Sequence, residues 1–243
     1  MIVKIRFQFQ ILLAIAIISF STNNLIYAQD TIVNKYGLWV IKNVKELNNT
    51  IKTDSNKKMM DINKLIPNLV CNLRYASLDN FMHKKLYPRL STTYLRLPAA
   101  KALQRIQYEL NKNGMGLKIF DAYRPYSITE KMWEPIKDDR YVADPKNGSG
   151  HNRGIAIDLT LINLKTNEEL PMGTDFDNFS DSAHQTFTAL PKNIMENRKI
   201  LRSIMENNGF KALETEWWHY SLPNSKYFEL LDISFEKLKR MNK

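Results

Sequence analysis

Cysteine is almost absent from this sequence, because Cys71 is the only one among 243 residues. A single thiol excludes an internal disulfide, and it excludes any metal site built from several cysteines. Cys71 ends the apolar segment Leu69-Val70-Cys71, which favours a buried structural thiol over a nucleophile. No cysteine lies near the amino-terminal leader, which excludes lipid attachment at a mature N-terminal cysteine. The hydrophobic core must therefore stabilise the fold without cross-links.

Several other patterns are also missing. The sequence contains no low-complexity tract and no internal repeat, and with 44% hydrophobic and 25% charged residues it can form one proper core. The motif His-Glu-x-x-His does not occur, which excludes the helix-borne zinc arrangement of many metalloproteases.

An apolar run near the amino terminus, residues 11–20, is shorter than the roughly 20 residues that a membrane-spanning helix needs. Lys4 and Arg6 precede it, and Ile26-Tyr27-Ala28 resembles a cleavage site. Residues 1–28 are therefore predicted to be a secretory signal peptide, with an uncleaved anchor as the alternative. We expect export to the periplasm or cell surface, without stable membrane insertion after cleavage.

The net charge of +10 could indicate binding to nucleic acid. However, the basic residues are scattered, and export argues against a nucleic-acid partner. We interpret the charge as a solvated surface suited to anionic polymers of the cell envelope. The oligomeric state is not predicted.

The order of elements indicates an α+β fold with a mainly antiparallel central sheet flanked by helices, because strands and helices do not alternate regularly. Residues 29–60 are predicted to be an extension that packs on a catalytic domain of residues 61–243. Predicted strands cover residues 37–41, 65–76 after a turn, 116–121 and 155–161. Predicted helices cover residues 97–113, 127–136, 192–208 and 224–240, and long loops cover residues 137–150 and 171–185.

One stretch, residues 149–161, combines a histidine and a carboxylate. Apolar and other residues alternate from Ile155 to Leu161, which predicts a half-buried strand with Asp158 on its polar face. His151 precedes Asp158 by seven residues, and Gly154 permits a tight turn between them.

A second cluster, Glu216-Trp-Trp-His-Tyr220, lies about sixty residues further on. Glu216 and His219 would share a face in a helix but not in a regular strand. We expect Glu216 in an irregular segment before a short strand that carries His219. The two stretches together offer two imidazoles and two carboxylates, and a hydrolytic zinc site needs three ligands, an open position and a nearby base. The other histidines, His83 and His184, are assigned no role.

The motifs of these two stretches resemble those of a known family. The patterns Ser149-x-His151-x-x-Gly154-x-Ala156-x-Asp158 and Glu216-x-x-His219 are similar to those of zinc D,D-peptidases with the murein-peptidase and hedgehog-like fold. Longer matches resemble the D-alanyl-D-alanine dipeptidases, over residues 60 to 235. Those segments are Leu73-Arg-Tyr-Ala76, Asp79-Asn-Phe81, Asp121-Ala-Tyr-Arg-Pro125, Gly148-Ser-Gly-His-Asn-Arg-Gly154, Asp158-Leu-Thr-Leu161, Met172-Gly-Thr-Asp-Phe-Asp177 and Glu216-Trp-Trp-His219.

The resemblance implies one zinc ion per chain, held by His151, Asp158 and His219. It implies that Glu216 is the catalytic acid and base, and that Arg124 stabilises the transition state. It implies that Asp177, Ser149 and Tyr75 bind the substrate, with Asp177 at the substrate's amino terminus.

The expected substrate is the small molecule D-alanyl-D-alanine, cleaved to two D-alanines during turnover of cell-wall peptides. One alternative is a zinc D,D-carboxypeptidase that acts on peptidoglycan stem peptides. Another is a zinc-bearing domain of the same fold that binds partners without hydrolysis. Glu216 and Arg124 argue against the second alternative, because a binding module needs neither.

Overall fold

The fold consists of nine strands and seven α-helices within residues 33–242, which are the part of the chain that the computed structural model describes. The predicted signal peptide, residues 1–28, lies outside this part. The elements in chain order are β1 (Val40–Ile41), α1 (Val44–Thr53), β2 (Met59–Asp61), α2 (Ile62–Leu65), β3 (Val70–Cys71), β4 (Tyr94–Arg96), α3 (Leu97–Asn111), β5 (Met115–Asp121), α4 (Tyr126–Ile136), α5 (Gly150–Arg153), β6 (Ala156–Asn163), α6 (Lys192–Asn207), β7 (Lys211–Leu213), β8 (Glu216–Ser221), β9 (Leu230–Leu231) and α7 (Phe235–Met241).

The main sheet has five strands in the order β3-β5-β6-β8-β7. Only the edge pair β3–β5 is parallel, and the other three pairs are antiparallel. Two small ladders lie outside it, a parallel pair β1–β9 and an antiparallel pair β2–β4. The predicted fold class, α+β with a mainly antiparallel sheet flanked by helices, is confirmed.

Strand β6 occupies the centre of this sheet, and its residues from Ala156 to Ile162 are all buried. Leu159 and Leu161 belong to one apolar cluster with Leu103 of α3 and Leu201 of α6. The prediction of a half-buried strand is therefore wrong. A central strand with both faces covered buries its polar positions too, so the carboxylate of Asp158 is only 2% exposed.

Helix α3 is confirmed, and so are α4 and α6, within one or two residues of their predicted ends. The predicted helix over residues 224–240 is wrong in its first half. A 3-10 turn (Ser225–Tyr227) and strand β9 occupy that half, and α7 begins only at Phe235, where Ser234 caps it. Helix α1 was not predicted, because its polar sequence buries only Leu47.

Arg96, at the end of β4, holds the short helix α5 in place through hydrogen bonds to its last turn. Its side chain is fully buried, and its Nε donates to the carbonyl of Arg153 at 2.9 Å. Its own backbone N–H donates to the carbonyl of Gly154 at 2.7 Å, and its guanidinium also contacts Glu229. A buried cation with several acceptors fixes the chain that carries His151.

Between residues 33 and 242, none of the helices combines the length and the apolar character that crossing a bilayer requires.

Candidate active site

The register of the main sheet brings together Asp158 and His219, which the sequence singled out, and Asp121, which it did not. Asp158 on β6 lies directly opposite His219 on β8 and opposite Asp121 on β5. Residues that face each other across an antiparallel pair project to the same side of the sheet. The side chains of Asp121, Asp158 and His219 therefore lie in one row across three strands.

His151 reaches this row from helix α5, whose N-cap is Ser149 in a reciprocal capping box with Asn152. Gly154 ends the helix with φ 72°, a left-handed conformation that suits glycine. The Nδ1 of His151 lies 2.7 Å from the carbonyl of Ala122, which can only accept a hydrogen bond. Nδ1 therefore carries the proton, and Nε2 keeps its lone pair for a metal ion.

The potential ligand atoms of three side chains converge here. The Nε2 of His151 lies 3.2 Å from the Nδ1 of His219, which lies 2.9 Å from Oδ1 of Asp158. The Nε2 of His151 is 3.4 Å from Oδ2 of Asp158. Ligand bonds of 2.0–2.1 Å in a tetrahedral site imply ligand atoms roughly 3.3 Å apart. The donor set and its spacing therefore fit a small divalent metal ion.

The excess of carboxyl groups over buried cations at the site also favours a bound metal cation. Asp158, Asp177 and Glu216 line one cavity, and Arg124 is the only buried cation among the described residues of its wall. Burial, reinforced by the two aspartates, raises the pKa of Glu216 well above its usual range. Burying several carboxylates against one guanidinium is unfavourable, and a divalent ion would offset that cost.

Two residues of the candidate metal group, Asp158 and His219, have pKa shifts that favour the forms that bind a metal. Burial lowers the pKa of His219, which favours the neutral imidazole. Burial alone would raise the pKa of Asp158, but His151 and His219 hold it well below its usual range. Metal binding requires neutral imidazole and ionised carboxylate.

Glu216 lies beside this group, with its Oε2 3.9 Å from the Nδ1 of His219. It is the first residue of β8, so the predicted irregular segment before the strand is wrong. The irregularity lies inside the strand instead. Leu213 pairs with Glu216 while the adjacent Ala212 pairs with Tyr220, which leaves the intervening residues without a register partner on β7. Such a bulge breaks the strict alternation of strand faces.

Arg124 is held by an aspartate that the sequence did not single out. The Nε of Arg124 donates to Oδ2 of Asp121 at 3.0 Å, and its Nη2 lies 2.9 Å from the same oxygen. Asp121 also accepts a hydrogen bond from the hydroxyl of Tyr87 at 3.0 Å. The sequence signals for Asp121 were its place at the end of a predicted strand and at the start of the family-like segment Asp121-Ala-Tyr-Arg-Pro125, but no role was assigned to it. The Nη2 of Arg124 is 3.8 Å from Oδ2 of Asp158, so the guanidinium points towards the candidate metal group.

Asp177 forms another part of the cavity wall. Its Oδ1 accepts a hydrogen bond from the hydroxyl of Tyr75 at 3.0 Å, and its Oδ2 accepts one from the N–H of Phe81 at 3.3 Å. Its φ of 60° is uncommon for a residue other than glycine. Burial raises the pKa of Asp177 to about 7, and Asp158 adds to this.

The cavity has a volume of about 220 Å³. Pockets for drug-sized ligands are larger, about 300–1,000 Å³, so this one suits a small molecule. All eight residues that the sequence singled out line it, namely Tyr75, Arg124, Ser149, His151, Asp158, Asp177, Glu216 and His219. The hydroxyl of Ser149 is already used as the cap of α5, where it accepts from the N–H of Asn152 at 3.2 Å.

The site thus has the features of one class of protein, the hydrolases: a three-residue group that could hold a metal, a buried acid and a buried arginine. Comparison with known proteins agrees with this class. The profile of the M15 peptidase family, described as D-ala-D-ala dipeptidase, matches residues 55–236.

Two relatives are similar over most of their length. The D-alanyl-D-alanine dipeptidase of Escherichia coli (strain K12) is 35% identical over 178 residues, which cover 73% of this chain and 91% of that protein. The D-alanyl-D-alanine dipeptidase of Enterococcus faecium is 33% identical over 191 residues, which cover 68% and 92%. A solved structure of the LdcB LD-carboxypeptidase aligns over 76% of this chain and 78% of that chain with 18% identity and a TM-score of 0.39, a likeness too low to support a conclusion.

The chain belongs to the M15 family of D-Ala-D-Ala dipeptidases, whose members are metallopeptidases. The resemblance stated from the sequence is confirmed, and so is the prediction that the protein is a metallopeptidase.

A metal-content measurement tests the ligand group. We expect about one divalent metal ion per chain, because one three-residue group is available among the described residues. His151→Ala and His219→Ala should each lose most of that metal, as measured by elemental analysis of purified protein. His184→Ala is the control, because His184 lies outside the cavity wall and should keep its metal. Full metal content in either ligand variant would contradict the assignment.

Proposed function

We propose that this protein is a zinc-dependent dipeptidase that hydrolyses D-alanyl-D-alanine to two D-alanines in the turnover of cell-wall peptides. The observation that carries the proposal is one small cavity lined by the His151–Asp158–His219 group, the acid Glu216 and the buried Arg124. Relatives named for this activity, at 32–35% identity, support it.

His151, Asp158 and His219 would hold the zinc ion. Two imidazoles and one carboxylate form a typical catalytic zinc set, which leaves a position open for water or substrate. A bound zinc ion would supply Lewis-acid polarisation of a water molecule and of the scissile carbonyl. The hydrogen bond from His151 Nδ1 to the carbonyl of Ala122 would keep its ring oriented for this task.

Glu216 would act as general base and then as general acid. Its carboxylate would accept a proton from the attacking water and deliver it to the leaving amine. The raised pKa of Glu216 suits this double task, because a higher pKa makes the carboxylate a stronger base towards water and lets the carboxyl group hold the proton until the leaving amine accepts it.

Arg124 would stabilise the negative charge that develops on the carbonyl oxygen of the substrate. Asp121, which accepts a hydrogen bond from Tyr87, holds the guanidinium in place before any substrate arrives. Preorganised donors of this kind need no rearrangement during the reaction, and each is typically worth about 3 kcal/mol of barrier.

Asp177 would bind the ammonium group of the substrate, with the hydroxyl of Tyr75 fixing its carboxylate. A site built around a charge pair discriminates strongly against substrates that lack the charge. This argument favours a dipeptidase over a D,D-carboxypeptidase, because a stem peptide has no free ammonium at that position. The small cavity supports the same preference.

The first test concerns turnover. Purified protein with zinc should hydrolyse free D-Ala-D-Ala, and Glu216→Gln should lower kcat by about 10²–10⁴-fold, the usual contribution of general acid–base catalysis. The zinc content of Glu216→Gln should stay normal, because the three ligands are intact. Glu214→Gln is the matched control, since Glu214 is exposed and pairs with Arg202. Wild-type turnover by Glu216→Gln would refute the mechanism and favour a binding module.

The second test concerns substrate choice and pH. The pKa of Asp177 is about 7, so its carboxylate forms as the pH rises through that value. The kcat/KM for free D-Ala-D-Ala should therefore rise with pH up to about 7 relative to that for the N-acetylated dipeptide, because the titration of Glu216 affects both substrates alike. Asp177→Asn should raise KM for the free dipeptide, remove this pH dependence and narrow the gap between the two substrates.

Asp175→Asn is the control for this test, because Asp175 is exposed on the same segment. A stem pentapeptide should be a poor substrate for the wild-type protein. Efficient cleavage of the pentapeptide would favour the carboxypeptidase alternative. An unchanged preference for the free dipeptide in Asp177→Asn would contradict the proposed role of Asp177.

We also propose that the protein is exported to the periplasm or cell surface, because residues 1–28 read as a signal peptide. Expressed in a bacterial host, the protein should appear outside the cytoplasm with an amino terminus near Gln29, as determined by mass spectrometry. Intact chain retained in the cytoplasm, Met1 included, would contradict export.

A further inference from the structure

Asp177 lies in the long connection between β6 and α6, within a loop of residues 172–184 that contains a short 3-10 turn, Asp181–Ala183. We propose that Arg198 on helix α6 is a positioning residue that closes the base of this loop and thereby sets Asp177 for recognition of the substrate ammonium. The inference rests on the proposed function of Asp177.

The guanidinium of Arg198 binds both ends of the loop. Its Nε donates to the carbonyl of Met172 at 2.7 Å, its Nη2 to that of Ser182 at 2.8 Å, and its Nη1 to that of His184 at 3.2 Å. Arg198 is only 7% exposed. Three backbone groups from the two ends of the loop thus converge on one planar side chain.

Arginine suits this task because its donors form a rigid fork, whereas the ammonium of lysine is a single point charge. Hydrogen bonds from a cation to carbonyl oxygens are also stronger than those between neutral groups. The buried charge of Arg198 has no carboxylate within ion-pair distance in the described part of the chain, and its contacts are these carbonyls. Its position is therefore explained by the loop that it holds.

Aromatic contacts fix the middle of the same loop. The ring of Phe176 packs against Tyr75 at 5.8 Å and against Trp218 at 5.5 Å between centroids. Phe179 packs against Phe81 at 5.3 Å. Asp177 lies between these two anchors, and the hydrogen-bonding partners of its carboxylate are Tyr75 and the backbone of Phe81.

The backbone of Asp177 needs such support. Its φ of 60° lies in the left-handed region, which aspartate adopts less readily than glycine does. Residues in such conformations persist only where the surroundings hold them. If the base of the loop is released, Asp177 can relax and move its carboxylate away from the ammonium position.

The test compares Arg198→Met with Arg202→Met, in full-length protein with zinc. Arg202 lies one turn further along α6 and pairs with the side chains of Glu206 and Glu214, so it makes a matched control. For each variant, kcat and KM are measured with free and with N-acetylated D-Ala-D-Ala. The ratio of interest is kcat/KM for the free dipeptide divided by kcat/KM for the N-acetylated dipeptide. Arg198→Met should lower this ratio by about 10- to 100-fold, because displacement of the Asp177 carboxylate by about an ångström can cost that much. Arg202→Met should leave the ratio unchanged.

A double-mutant cycle shows whether Arg198 acts through Asp177. In an Asp177→Asn background, adding Arg198→Met should cause no further fall in the ratio, since coupled residues are not additive. Arg198→Lys should retain part of the wild-type ratio, and it serves as the test variant if Arg198→Met does not fold. A loss that is equal for both substrates would mean a merely structural role and would overturn the inference.

Cleavage by chymotrypsin at Phe176 and Phe179 reports on the loop without any substrate. Arg198→Met should be cut there faster than wild type, and Arg202→Met should not. Faster cleavage with an unchanged substrate ratio would overturn the link to Asp177, and an unchanged cleavage rate would overturn the role in the loop. If the wild-type protein itself shows no preference for the free dipeptide, the proposed function fails, and cleavage still decides whether Arg198 holds the loop.

Discussion

The pairing of Asp158 with a neighbour on each side is the constraint on which the site depends. Because β6 lies between β5 and β8, its register sets both Asp121 and His219 relative to Asp158. A slip of one residue would turn Asp158 to the other face of the sheet. The apolar residues of β6 are buried against α3 and α6, so such a slip would also turn the polar residues of β6 into the apolar core. Core packing and site geometry are thus enforced by the same register.

Charge balance is the second constraint. The cavity wall contains more carboxyl groups than buried cations, and burial raises the pKa of Glu216 and Asp177. Asp121 neutralises Arg124 while keeping it oriented, so the guanidinium is firmly held but not free to offset the other acids. The site is therefore incomplete as a set of charges without a cation, which agrees with membership of a metallopeptidase family.

Some elements could be predicted because local pattern alone decides them. Pro98 in the first turn and an apolar stripe were enough to locate α3, and the alternation after Ile155 was enough to locate β6. Predictions failed where tertiary contacts override local pattern. Residues 224–234 form a turn and a strand because Leu230 and Leu231 pair with β1, nearly two hundred residues away in the chain.

The same distinction holds for the site. The sequence by itself indicated two imidazoles and two carboxylates with metal-binding chemistry, and the resemblance of its motifs identified the family and implied which three of these residues are ligands. The order of elements along the chain indicated the fold class. Tertiary structure alone decided the bulge that brings Glu216 to His219, the support of Arg124 by Asp121, and the closure of the loop by Arg198. The physical reason is that these arrangements depend on strand register and on backbone carbonyls. Every residue has a backbone carbonyl, so the sequence does not show which carbonyls accept hydrogen bonds from Arg198.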